Sequence, residues 1–144
     1  MLAALVVCLD QAVKDAVVRE LALGQSVTLV PGVLDLRHVR NTGVAFGALA
    51  GSGLPVAALS GVALLVLLAW FAGHAGRPGV WLPTGLLVGG ALGNLADRAR
   101  EGSVIDFVDP AAWPAFNVAD TCIVAGIATM VLVAGRQAHA REPR

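Results

Sequence analysis

A small set of acidic and amide side chains lies within otherwise apolar stretches of this 144-residue chain. Asn94 precedes Asp97 by three residues near the end of one such stretch, and Asn117 precedes Asp120 by three residues at the start of another. Each pair therefore shares one face of a helix. Antiparallel neighbouring helices would bring both pairs to the same depth, and Asp106 lies in the loop between them, flanked by apolar residues.

Grouped carboxylates of this kind favour one type of reaction. Two carboxyl groups that share a proton do not both ionise readily, so one stays protonated while the other acts as a base toward water. The sequence contains no Gly-x-Ser-x-Gly or His-Glu-x-x-His motif, and neither Cys8 nor Cys122 has an identifiable general base nearby. An aspartyl hydrolase is the best chemical fit, with no cofactor and no metal expected.

Taken one at a time, these residues also have structural explanations. Asn117 has the residue type of a helix N-cap, and Arg98 could pair a helix end with lipid phosphate. Asp10 and Lys14 are four residues apart, which suits either an ion pair that eases membrane insertion or a brace for the site. Asp109 precedes a proline, where a turn residue explains it. The grouping of the other residues at one depth favours function.

The composition predicts that these residues lie in a membrane protein. Hydrophobic residues make up 57% and charged residues 14% of the chain, with a mean hydropathy of +0.77. Ten basic residues balance ten acidic ones, which argues against a nucleic-acid partner. Four stretches are long and apolar enough to span a bilayer: about 1–18, 54–72, 80–96 and 116–134. We expect an all-α membrane protein of four transmembrane helices, forming a single domain over 1–144.

Four spans place both termini on the same side. From the positive-inside tendency of Arg77, in the loop between the second and third spans, and of the Arg136, Arg141 and Arg144 tail, we expect that side to be cytoplasmic. Trp70 and Trp81 bracket the loop, as interface anchors would. The segments 19–53 and 97–115 then lie outside. Residues 26–39 predict short strands broken at Pro31-Gly32, hence a small extracytoplasmic β-sheet at the membrane surface.

The third span carries glycines at four-residue spacing. Gly85, Gly89 and Gly93 lie on one helix face, where small residues let a neighbouring helix approach closely. This stripe predicts tight packing next to the Asn94 and Asp97 pair.

Five blocks of the sequence, in this order, resemble the lipoprotein signal peptidases (signal peptidase II). They are Asp10-Gln11-x-x-Lys14, Asn41-x-Gly43-x-Ala45-Phe46, Gly89-Gly90-Ala91-x-Gly93-Asn94-x-x-Asp97-Arg98, Val104-x-Asp106-Phe107 and Phe116-Asn117-x-Ala119-Asp120. The resemblance implies a four-helix protease of the bacterial plasma membrane with its active site toward the outer face. Its substrates would be diacylglyceryl-modified prolipoproteins, cut just before the lipidated cysteine.

The same resemblance assigns residue roles. It implies that Asp106 and Asp120 form the catalytic dyad, and that Asp97 is a supporting residue linked to Arg98. Asn41 and Arg98 would hold the substrate backbone or the shape of the site, Asn94 and Asn117 would orient carboxylates, and Asp10 and Lys14 would tie the first helix to them. The protein is expected to act as a monomer among membrane lipids.

The chain departs from the family pattern in two places. Its N-terminus is shorter and less basic, so a truncated or misassigned start is expected. The loop from Asp106 to Asp120 is compact, and we expect Trp113 and Pro114 to cover the site.

Two other functions fit the intramembrane charges. In a small four-helix proton-coupled transporter, Asp10 and Lys14 would carry protons, although such a protein has little need for acidic residues grouped at the outer face. In a membrane scaffold, the polar residues would only fix helix packing.

Overall fold

The computed structural model describes residues 1–43 and 53–139. Its four helices and three strands follow in this order: α1 (Leu2–Glu20), β1 (Ser26–Val30), β2 (Leu34–Asn41), α2 (Gly53–His74), α3 (Trp81–Glu101), β3 (Val104–Pro110) and α4 (Val118–His139). The predicted positions of Ala45, Phe46, Arg141 and Arg144 lie outside the described residues.

Helix α3 lies at the centre and packs against the other three helices. Its glycine stripe faces α1: a Cβ added at Gly89 would lie 2.6 Å from the Val6 Cβ, and one at Gly93 would lie 2.6 Å from the Asp10 Oδ2. Gly90 faces α4 in the same way, since its Cβ would lie 2.5 Å from the Ala119 carbonyl oxygen. The predicted close approach at the stripe is therefore confirmed, because a side chain larger than hydrogen would have to displace these neighbours.

The three strands form one antiparallel sheet in the order β1-β2-β3. The break predicted at Pro31-Gly32 is present, where Gly32 adopts a φ of +71° between β1 and β2. Strand β3 pairs with β2 so that Asn41 lies opposite Val104 and Val39 lies opposite Asp106. This pairing sets the position at which the chain passes from the sheet back toward the helices.

A small apolar cluster joins the sheet to the helices. Val17 and Leu21 at the end of α1 pack with Phe107 of β3, and Val118 at the start of α4 contacts the cluster. The face of β3 that carries Phe107 is thereby held against two helix ends, beside the buried Asp106.

The structure corrects several predicted boundaries. Residues 104–110, expected as a loop, form strand β3, so Asp109 lies in a strand 3.5 Å from Arg37 and not in a turn. Helix α3 continues to Glu101, because a left-handed Gly102 ends it and not the edge of the apolar stretch. Phe116 bridges to Val108, so α4 begins at Val118.

One helix within the described ranges passes a length and hydropathy test for a membrane span. It is the Val118–Arg136 part of α4, and the Ala58–His74 part of α2 is a shorter apolar stretch. Some of the charges and glycines that lower the hydropathy of α1 and α3 lie where the two helices contact each other: Asp10, Lys14, Gly85, Gly89, Gly93 and Asp97.

Candidate active site

Asp106 lies on the buried part of β3 and is 1% exposed. Its Oδ1 accepts a hydrogen bond of 2.7 Å from the Asn117 amide, and its Oδ2 accepts one of 2.9 Å from the Asn41 amide. Asn41 ends β2 opposite Val104, two residues from Asp106 along β3, so strand register brings the two side chains together. Two amides on different elements thus fix the orientation of this carboxylate.

Asp120 is held by the first turn of α4. Its backbone N–H donates to the Asn117 Oδ1 at 2.9 Å, and its own Oδ2 accepts from the Asn117 backbone N–H at 3.3 Å. This reciprocal pair is a capping box, so the N-cap that explains Asn117 structurally also positions Asp120. The Asn94 amide of α3 donates to Asp120 Oδ1 at 2.7 Å.

Asn117 connects the two aspartates. Its side-chain amide bonds Asp106, its backbone and its side-chain oxygen bond Asp120, and it also donates to the Asn94 Oδ1 at 3.0 Å. It is fully buried, so these bonds are not exchanged with water. The four side chains form one connected network.

Both aspartates line a cavity of about 640 Å³. The polar side chains in its lining include those of Asn41, Asn94 and Arg98. Residues that also line the cavity include Trp113, Pro114, Ala115, Phe116, Ile123 and Val124. Trp113 and Pro114 therefore border the site, as expected from the compact loop.

A second polar cluster lies between α1 and α3. The ammonium of Lys14 is 2.8 Å from Asp10 Oδ2, 2.7 Å from Asp97 Oδ2 and 3.1 Å from Asn94 Oδ1, and Lys14, Asp10 and Asp97 are all at most 3% exposed. The predicted ion pair within α1 is confirmed, and it extends to α3. Because Lys14 also bonds Asn94, the cluster is connected to Asp120.

Asp10 and Asp97 also bond backbone N–H groups. Asp10 Oδ1 accepts from the Ala119 N–H in the first turn of α4 at 2.9 Å, where a negative charge is favourable. Asp97 Oδ2 accepts from the Ile105 N–H at 3.2 Å, directly before Asp106. The cluster therefore holds the backbone next to each aspartate of the pair.

Arg98 faces a different part of the site. It donates to the Gly43 carbonyl oxygen at 3.1 Å, whereas Asp97 bonds Lys14, Gln11 and the Ile105 N–H. The expected link between Asp97 and Arg98 is thus not among the bonds of Asp97 in the described residues. Adjacent helical residues point about 100° apart, so one faces α1 and the other the cavity.

The comparisons with known proteins decide the family. The family profile described as Signal peptidase (SPase) II matches residues 2–135. The chain belongs to the signal peptidase II family. It is accordingly a peptidase and a bacterial membrane protein.

Relatives and solved structures agree with this membership. The lipoprotein signal peptidase of Halothermothrix orenii is 39% identical over 133 residues, covering 92% of this chain and 92% of its own. That of Moorella thermoacetica is 38% identical over 148 residues, covering 99% and 97%. A bacterial membrane enzyme solved by the in meso method at 2.3 Å resolution superposes with a TM-score of 0.89 at 28% identity, covering 99% of this chain and 90% of that one.

In this signal peptidase II family member, burial raises the pKa of Asp106 to about 6. The hydrogen bonds from Asn41 and Asn117 favour the ionised form and partly oppose this rise, while the charge of Asp120 adds to it. Asp106 can therefore exchange a proton near neutral pH, as an acid or base in amide hydrolysis must.

The structure brings all nine predicted site residues into these two clusters and their borders. Sequence reasoning gave no role to Gln11, whose amide donates to Asp97 Oδ1 at 2.8 Å. Its position one residue after Asp10 was the available signal, but its partners on α3 are more than 80 residues away along the chain.

Proposed function

We propose that this chain removes the signal peptide from diacylglyceryl-modified prolipoproteins by cutting before the lipidated cysteine, with Asp106 and Asp120 as the catalytic dyad. Membership of the signal peptidase II family supports the substrate class. The observation that carries the aspartic chemistry is that Asp106 and Asp120 line one cavity and are bonded through a single residue, Asn117.

The reaction needs one base and one acid. An ionised carboxylate of the pair takes a proton from water as the water attacks the scissile carbonyl carbon, while the protonated partner donates a hydrogen bond to the carbonyl oxygen. The scissile C–N bond then breaks as the carboxyl that took the proton from water passes it to the leaving amine. The two carboxyls titrate as a coupled pair, so the active form carries a single proton between them.

The amides keep the two carboxylates in place during this exchange. Asn94 and Asn117 donate to Asp120 and Asp106, and Asn41 donates to the second oxygen of Asp106. Arg98 and Asn41 border the cavity, where they hold its shape or the substrate backbone. Asp10, Lys14 and Asp97 support the site without taking part in proton transfer.

The cavity suits a substrate that arrives from the side. Ile123 and Val124 of α4 line the cavity, and Val124 is 66% exposed. A lipid-anchored peptide in the outer leaflet could slide along this face until its scissile bond meets the dyad. This route requires four membrane-spanning helices, cytoplasmic termini and a site at the outer face.

The family assignment leaves the transporter alternative without support, since the profile that matches is that of a peptidase.

We further propose that the chain acts as a monomer in contact with membrane lipids. All the residues of the dyad network and of the polar cluster between α1 and α3 come from one chain.

Cleavage of a lipidated precursor tests the proposal. Purified protein in lipid is mixed with a diacylglyceryl-modified precursor, and signal-peptide release is measured for Asp106→Asn and Asp120→Asn. Each should lower the rate by at least about 10²- to 10⁴-fold. Asp15→Asn, at an exposed aspartate on α1, is the matched control and should cleave at the original rate. Retained turnover in either dyad variant would remove that residue from the dyad.

A further inference from the structure

Gln11 of α1 connects the exposed Arg100 of α3 to the buried cluster of Asp10, Lys14 and Asp97. Its side chain is half-buried, with Nε2 2.8 Å from Asp97 Oδ1 and Oε1 2.8 Å from the exposed Arg100 guanidinium. Longer contacts of 3.3 Å join the same Nε2 to the Gly93 carbonyl oxygen and to Asp10 Oδ2. An amide donor therefore faces only acceptors, and an amide acceptor faces a cation.

These partners fix the orientation of the amide. Turning it over would place its oxygen against the Asp97 carboxylate and its NH₂ group against Arg100, so both contacts would become repulsive. Arg100 thus selects the orientation in which Gln11 donates to Asp97.

Asp97 passes this constraint to the dyad. Its Oδ1 accepts from Gln11, which leaves Oδ2 for Lys14 and for the Ile105 N–H at 3.2 Å. The carbonyl oxygen of Ile105 accepts from the Asn117 amide at 3.3 Å, and the next residue is Asp106. Without a donor at position 11, a buried carboxylate oxygen loses its partner, and Asp97 is free to rotate away from Ile105.

We propose that Gln11, oriented by Arg100, is a positioning residue for the reaction, because it fixes the Asp97 carboxylate that holds the backbone of Asp106. This proposal rests on the dyad proposed above. Gln11 lines no part of the cavity among the described residues, so its loss should lower kcat and leave KM unchanged.

Removing the amide is the first test. Gln11→Leu keeps the bulk and loses the hydrogen bonds, and it should lower kcat by about 10- to 100-fold, as expected for a small displacement of a reacting group. Ala12→Leu, at the exposed neighbouring position of α1, is the matched control with unchanged kcat. An unchanged kcat in Gln11→Leu, or an equal loss in both variants, would overturn the proposal.

Replacing Gln11 by glutamate makes kcat depend on pH in a way that a mere loss of packing would not. Position 11 faces Asp10 and Lys14 of α1 and Asp97 and Arg100 of α3, with Asp106 of β3 and Asp120 of α4 beyond them. Gln11→Glu can donate to Asp97 only when the new carboxyl is protonated. The ratio of its kcat to the original kcat should therefore rise at least about tenfold from pH 8 to pH 5, while the Gln11→Leu ratio stays constant. A constant Gln11→Glu ratio contradicts the role of donor.

The partnership with Arg100 is tested in two backgrounds, and Arg100→Ala in the original protein keeps the proposal testable if Gln11→Leu folds poorly. Arg100→Ala should lower kcat by about 2- to 5-fold in the original protein and have no effect in Gln11→Leu. Equal effects in both would show that Arg100 acts independently of Gln11.

The dyad variants separate the two proposals. Full cleavage by Asp106→Asn and Asp120→Asn would defeat the proposed dyad. Inactive dyad variants together with a fully active Gln11→Leu would defeat the Gln11 proposal alone.

Discussion

The two halves of the contact between α1 and α3 are held by different forces. In the first half, Gly85 and Gly89 lie against the Leu2 and Val6 side chains with no room for a methyl group. In the second half, Lys14 lies between Asp10 and Asp97, all of them buried. The same pair of helices thus changes from packing by shape to packing by charge within about three turns.

The difference indicates what each half is for. Backbone contact at glycines fixes the distance between two helices but binds no proton and points no side chain at a substrate. A buried ion cluster is an expensive way to hold helices together, because the charges lose hydration. In the second half it also orients the groups next to Asp106 and Asp120, which a glycine contact could not do.

The largest expected effect comes from removing the cation of the charged half. Lys14→Met leaves Asp10 and Asp97 buried without a counterion, and it should lower the free energy of unfolding by about 3–5 kcal/mol. Thermal or denaturant unfolding in detergent measures this loss. Arg19→Met, at an exposed basic residue of the same helix, should change stability by less than about 0.5 kcal/mol. Similar small losses in both would mean that the cluster does not stabilise the fold.

The next effect depends on pH. The pKa of Asp106 is about 6 in the folded protein, and an unfolded aspartate titrates near about 4. Between these values the folded state binds more protons, so the Asp106 contribution to stability is present below about pH 4 and is lost as the pH rises through about 6.

This contribution is lacking in Asp106→Asn. The stability of that variant relative to the original protein should rise by up to about 3 kcal/mol between pH 4 and pH 6 and stay level above pH 7. Melting temperatures of both proteins in detergent give the difference. A difference that does not vary with pH would show that burial of Asp106 does not alter its titration.

A smaller effect is expected in the half packed by shape. Gly89→Ala forces Val6 away and should cost about 1–3 kcal/mol, without changing the cleavage rate of the folded protein. Gly61→Ala in α2 is the control: nothing lies within 4 Å of its added Cβ, so a gain of about 0.5–1 kcal/mol is expected. Equal changes in stability for Gly89→Ala and Gly61→Ala would show that close contact at Gly89 does not hold α1 and α3 together.

The smallest effect is expected from removing metal ions. The dyad reaction uses carboxylates and water alone, so incubation with a chelator should leave the rate of precursor cleavage unchanged. Inhibition by the chelator that added zinc reverses would contradict the mechanism.

The features that the sequence predicted correctly depend on residues close together along the chain. The four-residue spacing of Asp10 and Lys14 and the turn at Pro31-Gly32 needed no knowledge of distant contacts, and both are present. Strand β3 was missed because its seven residues show no alternation of apolar and polar types: the buried end and Asp106 face the helices through pairing with β2. Pairing between distant segments leaves no local pattern.

In the site, too, local patterns were predictable from the sequence and contacts between distant segments were not. Recurring Asn and Asp residues indicated that the acidic groups come together, and the structure places them in one network. The partner of each carboxylate was less predictable. Asp97 bonds Gln11 and the Ile105 N–H because α1 and β3 both reach it, and neither contact can be deduced from the helix that carries Asp97.

The most direct measurement compares two buried aspartates with different proposed roles. Signal-peptide release from a diacylglyceryl-modified precursor is measured for folded Asp106→Asn and for folded Asp97→Asn. The dyad account predicts no detectable cleavage by Asp106→Asn and a reduced but measurable rate for Asp97→Asn, which holds a backbone N–H and not the reacting atoms. Cleavage by Asp106→Asn together with complete loss in Asp97→Asn would contradict the account.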